Sequence, residues 1–171
     1  IVIVDNGSND DTSSVLDVLI SGLTFITRVE IEKNQGYGHG ILEGLAIANG
    51  EILSWTHADM QTDLGDALKG LDFFNSASNS EELFVKGKRK RRPLADVFFT
   101  VGMSIFETLL LRKLMWDINA QPTMFHRKFF LTWDIPPKDF SLDLYAYYMA
   151  KKSRLEVKRF PVVFAERAYG V

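Results

Sequence analysis

The sequence contains no cysteine. That excludes disulfides, zinc–thiolate centres and a cysteine nucleophile, and it agrees with a reducing compartment. Net charge is also nearly absent: 20 Lys and Arg against 22 Asp and Glu give −2. No overall field therefore draws the chain to nucleic acid, and no nucleic-acid partner is expected. No apolar run is long enough to cross a bilayer, and no basic stretch followed by an apolar one marks a signal peptide. There is no internal repeat and no low-complexity segment. What is present is ordinary for a globular protein: 171 residues, 46% hydrophobic and 25% charged, which suits a single domain over residues 1–171 with one sizeable core. The opening Ile1-Val2-Ile3-Val4 reads as strand from its first residue, and Tyr169-Gly170-Val171 follows closely on another strand-like run. We therefore expect a piece trimmed at both ends.

The order of elements points to an α/β fold. Ile1 to Val4 is a β-branched run suited to a strand covered on both faces, and the turn-forming cluster Asp5 to Thr12 follows it. Ser13 to Leu19 has helical spacing, Phe25 to Ile31 reads as a strand, and Lys33 to Gly40 is a glycine-rich loop before a helix over Ile41 to Ala48. A strand at Glu51 to Thr56 and a helix at Leu64 to Phe74 continue the alternation, which predicts a mostly parallel sheet flanked by helices. Further on we expect a short strand from Leu83 to Lys86, a basic run from Lys86 to Arg92 and a long apolar helix from Ala95 to Trp116. Asp117 to His126 reads as irregular, Arg127 to Thr132 and Leu142 to Lys152 as helices, and Glu156 to Phe164 as a strand whose Pro161 suits an edge.

Ligands of open α/β sheets bind beyond the carboxyl ends of the strands. Three candidate segments fall at such ends: Asp5 to Asp11, Lys33 to Gly40 and His57 to Asp63. Asp5 can accept hydrogen bonds from a nucleobase, and glycines at 36, 38 and 40 let backbone approach a ligand. His57, Asp59 and Gln61 offer nitrogen and oxygen ligands two residues apart, a set that suits Mn²⁺ or Mg²⁺ with a diphosphate completing the shell. Each segment also has a plainer reading: a helix cap for Asp5 to Ser8, a tight connection for the glycines, and a solvated loop for His57 and Asp59.

Together these segments resemble the family 2 glycosyltransferases, and most of all their polyprenyl-phosphate, dolichyl-phosphate-mannose-type branch. Ile1 to Thr12 is similar to the family's strand followed by D-D-G-S-x-D-x-T. Asn34-Gln35-Gly36-Tyr37-Gly38 with Gly44, Ala48, Gly50 and Glu51 resembles N-x-G-x-G…G…A-x-G-[DE]. His57-Ala58-Asp59-Met60-Gln61 stands where the family has D-A-D-L-Q, Val85 to Arg89 resembles V-x-G-x-R, and Asp117 with Gln121 to Arg127 resembles D-x-x-x-S-G-F-R. Phe140 to Asp143 and Phe160 to Arg167 resemble the closing helix and P-V-x-F-x-x-R.

The resemblance implies a GT-A fold and inverting transfer of one sugar from a nucleoside-diphosphate donor. It places Asp5 on the nucleobase, Asp59 and Gln61 on the metal, and Arg167 near the diphosphate. Asn34, Gly36, Gly38, Ala58 and Arg89 lie in the matched segments and are assigned to the donor. Two residues depart from the pattern. Asn6 replaces an Asp but still suits a turn. His57 replaces the first Asp of D-x-D, which removes a charge and favours Mn²⁺ over Mg²⁺, and Asp63 offers a replacement carboxylate. The P-x-[YF]-N-E segment of the family is not in the chain.

The acceptor class follows less directly. A sugar hydroxyl needs a general base, and Asp143 matches the family's late acidic position, though it also suits the N-terminus of a helix. A lipid phosphate is already ionised and needs no base. The basic run beside the apolar helix bearing Phe98, Phe99, Phe106, Leu109 and Leu110 suits a phosphate headgroup with an apolar tail and a peripheral membrane contact. The alternative is a core helix whose exposed face carries Glu107, Arg112 and Lys113. The expected acceptor is a polyprenyl phosphate, at the cytoplasmic face of the membrane. The other readings are a saccharide acceptor in cell-surface polysaccharide synthesis and a non-catalytic nucleotide-sugar-binding module. A sugar nucleotidylyltransferase would need a G-x-G-T-R-like loop that the chain does not show.

Overall fold

The computed structural model describes residues 1–59, 61–90 and 94–165. The chain divides into two compact units: residues Ile1–Gly50 with Ile135–Leu142, and residues Glu51–Asp134 with Asp143–Val171.

In the first unit, β1 (Val2–Asp5) and β2 (Thr27–Glu30) form a parallel pair, with Val2 opposite Thr27 and Asp5 opposite Glu30. Parallel strands need a crossover. Helix α1 (Thr12–Ile20) supplies it, entered through Asp10, whose Oδ1 accepts the Thr12 amide at 3.0 Å. Helix α2 spans Tyr37–Ile47, packs on β1, and starts four residues before the expected Ile41. The reason lies in the segment that joins this unit from residue 135. Lys138 O accepts the His39 amide at 2.9 Å and so satisfies one of the otherwise orphaned donors of a first helical turn. Gly36, Gly38 and Gly40 thereby belong to the start of a helix.

The second unit is built on a four-stranded sheet in the order β3 (Ile52–Trp55), β5 (Thr123–His126), β4 (Leu83–Lys90), β6 (Glu156–Val163). The α/β class stands. Parallel pairing holds for β1 with β2 and for β4 with β6, while β5 runs antiparallel to both its neighbours. The sequence reads as irregular where β5 lies, because its four residues are all buried and leave no alternation to detect. Strand β6 is an edge, as Pro161 requires.

Strand alternation gives the sheet two faces. Leu83 and Val85 pack with Phe74, Met124, Phe160 and Val162 under α3 (Asp66–Asn75). On the other face Phe84 stacks on Phe125 and on Tyr147, both at 5.9 Å, with Phe129 edge-on at 6.0 Å. These rings come from β4, β5, the short helix α5 (Arg127–Phe130) and α6 (Leu142–Lys152). Full burial of one such ring contributes about 2–3 kcal/mol.

Helix α4 spans Leu94–Leu111 and ends at Arg112, whose φ is 51°. Thr108 Oγ1 then accepts the Met115 amide at 2.9 Å and turns the chain back. Of the three residues that mark the exposed face in the core-helix alternative, Arg112 and Lys113 are exposed but Glu107 is not. Ser104 is buried and Glu107 and Thr108 are half-buried, while Ile105, Phe106, Leu109 and Leu110 are exposed. Burial pushes the Glu107 carboxyl above its usual range. Among the described residues, no helix is long and apolar enough to cross a membrane.

Candidate functional site

In the first unit, Asp5 closes β1 with its carboxylate almost wholly buried. Oδ1 accepts the Ser8 amide at 3.0 Å, and Oδ2 lies 3.9 Å from the Arg28 guanidinium. Arg28 also meets Glu30 at 3.0 Å and Asp17 at 2.5 Å, so three carboxylates from two strands and a helix share one cation.

The turn after Asp5 is tied to the second loop by Asn6. Its Nδ2 donates to Gly36 O at 3.0 Å and to Asn34 Oδ1 at 3.3 Å, and Asn34 Oδ1 also accepts the Gly36 amide at 2.8 Å. An ionised Asp at position 6 has no N–H to give, which is a physical reason for the departure from the family pattern. Asp5, Asn34 and Gly36 are thus linked through Asn6 within one unit.

The glycines have a local cause. Gly36 has φ +116°, and a Cβ there would stand 2.5 Å from Lys138 O. A Cβ at Gly38 would stand 2.7 Å from both Pro137 O and Asp139 O. Tyr37, between them, stacks on Phe140 at 4.9 Å. The close approach these glycines permit is to the backbone of residues 137–139.

In the second unit, His57 to Asp63 follow β3. Asp59 Oδ1 accepts the Gln61 amide at 3.1 Å, a local turn that fixes the carboxylate. Gln61 is bonded to Ala165 on both sides: its O accepts the Ala165 amide at 2.8 Å, and its Nε2 donates to Ala165 O at 3.3 Å. Asp63, considered as a replacement ligand, accepts the Gly65 amide at 2.8 Å and so serves the entry to α3. Ala58 is exposed and His57 is half-buried. Among the described residues, no three His, Asp or Glu side chains form a ready-made metal cage. Arg167 lies outside the described residues.

Arg89 is already engaged. Its Nε donates to Asp117 Oδ1 at 2.7 Å, its backbone N donates to Asp117 Oδ2 at 3.0 Å, and its guanidinium lies 5.2 Å from the Phe164 ring centroid. Asp117, buried and with φ 46°, meets a second cation as well: Arg159 lies 3.7 Å from its Oδ2 and donates to the backbone oxygens of Gly87 and Asp117 at 2.8 and 2.9 Å. Burial draws the Arg159 guanidinium below its usual range. Nothing in the sequence around Arg159 signals this role, since an alternating strand with one Arg reads as a solvated position.

The basic run also divides. Lys86 is fully buried, donates to Thr123 Oγ1 at 2.6 Å and lies 3.6 Å from Asp143 Oδ1. Burial draws its ammonium down to about 8, against the pull of Asp143. The run therefore does not act as one basic patch: Lys86 is withdrawn into the interior, while Lys88 and Lys90 are exposed at the end of β4. Asp143, the candidate base, has a nearly buried carboxylate facing Lys86. A groove of about 600 Å³ between α3 and the starts of β4 and β6 holds none of the candidate residues.

The family model described as glycosyl transferase family 2 matches residues 1–135. No curated protein sequence matches the chain. Among solved structures, glucosyl-3-phosphoglycerate synthase from Mycobacterium tuberculosis, in complex with uridine diphosphate, is similar with a TM-score of 0.70 at 12% identity, over 99% of this chain and 61% of that one. The same synthase with Mn²⁺, UDP-glucose and phosphoglyceric acid gives 0.72 at 12%, over 97% and 60%. A mannosyltransferase from Pyrobaculum calidifontis, with GDP-mannose and Mn²⁺, gives 0.68 at 19%, over 98% and 47%. At these identities the likeness is one of fold, the GT-A arrangement. The chain spans about three fifths of the synthase and under half of the mannosyltransferase.

Proposed function

The chain belongs to glycosyl transferase family 2, and we propose that residues 1–171 act as one catalytic domain that moves a single sugar, with inversion, from a nucleoside-diphosphate donor to a polyprenyl phosphate. The observation that carries this reading is the family match over residues 1–135, which takes in both Asp5 and Asp59. Donors of this class accompany the solved relatives, as UDP-glucose in one and GDP-mannose in another.

Asp5, held by Ser8 and Arg28, receives the nucleobase N–H groups. Asn34, Ala58 and Arg89 contribute to donor binding, Arg89 in the orientation that Asp117 gives it, while Gly36 and Gly38 act through the loop they let pack against residues 137–139. Asp59, Gln61 and His57 are the residues that would hold Mn²⁺ or Mg²⁺. Their donor set fits: a carboxylate fixed by its own turn, a carboxamide oriented by its Nε2 bond to Ala165, and an imidazole that favours Mn²⁺. The ion, when bound, offsets the charge that develops on the departing diphosphate. Arg167 completes the charge around that group.

The acceptor reading rests on Asp143. A base that deprotonates a sugar hydroxyl must reach it, yet Asp143 is nearly buried and faces Lys86 at 3.6 Å. A phosphate oxygen attacks the anomeric carbon without a base, and this favours the lipid phosphate over the saccharide. Such an acceptor would be met at the cytoplasmic face of the membrane. With a sugar acceptor, Asp143 is the base and must leave Lys86 before it can act.

The test is a donor screen on the full-length protein with Mn²⁺, with and without polyprenyl phosphate, read by release of nucleoside diphosphate. Release that requires both a matching donor and the lipid phosphate supports the reading. Donor binding with no release under either condition would make the protein a binding module instead.

A further inference from the structure

Helix α4 is amphipathic with its faces exchanged. At 100° per residue, Ser104, Glu107, Thr108 and Leu111 fall on one side, and that side is buried or half-buried. The opposite side carries Met103, Ile105, Phe106, Leu109 and Leu110, all exposed, with Phe106 at 61% and Leu109 at 74%. Leu114, just past the helix end, is also exposed, at 72%. Exposed apolar residues scattered singly are normal, whereas a contiguous apolar face is a contact surface. Along this helix the polar residues are the ones that find protein, so the apolar side is not one that the second unit's own core covers.

The charge in the sequence flanking this face is mostly positive. Residues 86–116 hold eight Lys or Arg against two carboxylates, in a chain whose net charge is −2. Lys86 and Arg89 point to internal partners, but Lys88 and Lys90 before the helix, and Arg112 and Lys113 after it, are exposed. The half-buried Glu107 lies off the apolar side. An apolar face flanked by cations complements an anionic lipid surface: the face enters the headgroup and acyl boundary while the cations meet the phosphates. A second copy of the chain fits less well, because a self-paired face would bring the same cations against each other.

We propose that the exposed face of α4, from Met103 to Leu110, with Leu114, Arg112 and Lys113, docks the protein on anionic lipid. This deepens the lipid-phosphate reading above and names the surface through which the chain would reach such an acceptor.

The experiment is flotation of the full-length protein with vesicles of phosphatidylcholine alone and of phosphatidylcholine mixed with phosphatidylglycerol. The wild type should bind the anionic vesicles at least tenfold better than the neutral ones, and raised salt should weaken that binding. Phe106→Glu with Leu109→Glu should cut binding at least tenfold with no loss of thermal stability, since both side chains are exposed. Lys113→Glu should weaken binding to the anionic vesicles only. Val18→Glu, on the exposed apolar side of α1, should leave binding unchanged. Wild-type protein that binds neither vesicle overturns the proposal, as does binding that survives the double substitution. A double variant whose melting temperature falls, or which converts a dimer to a monomer, also overturns it, since the face would then be covered by protein. Transfer to polyprenyl phosphate in detergent is read separately: vesicle binding without transfer removes the acceptor reading and leaves the docking surface.

Discussion

The two units hold their candidate residues by different means. In the first, Asn34 and Gly36 are fixed by loop hydrogen bonds and by a backbone approach that only glycine allows, and Asp5 by its own turn with a single cation, Arg28, 3.9 Å away. Ile31 and Leu45 are buried there, while α1 leaves Val15, Val18 and Leu19 exposed. In the second, Arg89, Lys86 and Asp143 are fixed by buried charges, beside a layered aromatic core. Loop hydrogen bonds hold position at small expense in stability. Buried ions hold it more firmly but make the unit depend on every partner, because removing one leaves the other uncompensated.

That contrast predicts a ranking of effects. The largest belongs to Asp117. Asp117→Ala leaves Arg89 and Arg159 without their shared carboxylate and should lower unfolding free energy by about 3–5 kcal/mol, measured by urea titration. A loss under about 1 kcal/mol would mean that the two arginines find solvent instead.

Next comes Lys86. Its ammonium titrates at about 8 in the folded chain, down from 10.5, so between these values the unfolded chain binds more protons. This contribution to stability therefore rises with pH across that window, by at most about 1.4 kcal/mol per unit. The difference in unfolding free energy between the wild type and Lys86→Met/Asp143→Asn should grow in the wild type's favour from pH 8 to pH 10. A flat difference would place Lys86 in contact with water.

The smallest effect belongs to the first unit. Gly36→Ala meets Lys138 O and a φ of +116°, and should cost about 1–3 kcal/mol. Differential scanning calorimetry should register the shift, and limited proteolysis should show residues 135–142 becoming accessible. No change in either would remove the packing explanation for this glycine.

Much of this was legible in the sequence where local chemistry decides. The β-branched run before Asp5, the turn at Asp10 and the helix at Leu142–Lys152 form as their residues dictate. What was not legible depends on partners far along the chain. Lys86 reads as part of a basic run because nothing nearby announces Asp143, 57 residues away, as its counter-charge. The early start of α2 depends on Lys138 O, and the glycines look like ligand-binding residues until residues 137–139 are seen to fill the space. Periodicity shows that α4 has two faces, but it does not tell which one turns inward. Arg159 is silent for the same reason, since its partners Asp117 and Gly87 lie on other elements.

The most direct measurement is calorimetry of the full-length protein with UDP-glucose and GDP-mannose, with and without Mn²⁺, for the wild type and for Asp59→Ala. If Asp59 anchors the ion, Mn²⁺ strengthens binding of one donor in the wild type, and the substitution abolishes that gain while leaving the melting temperature within a few degrees. Binding that is equally tight in both proteins, or indifferent to Mn²⁺ in the wild type, would contradict the account.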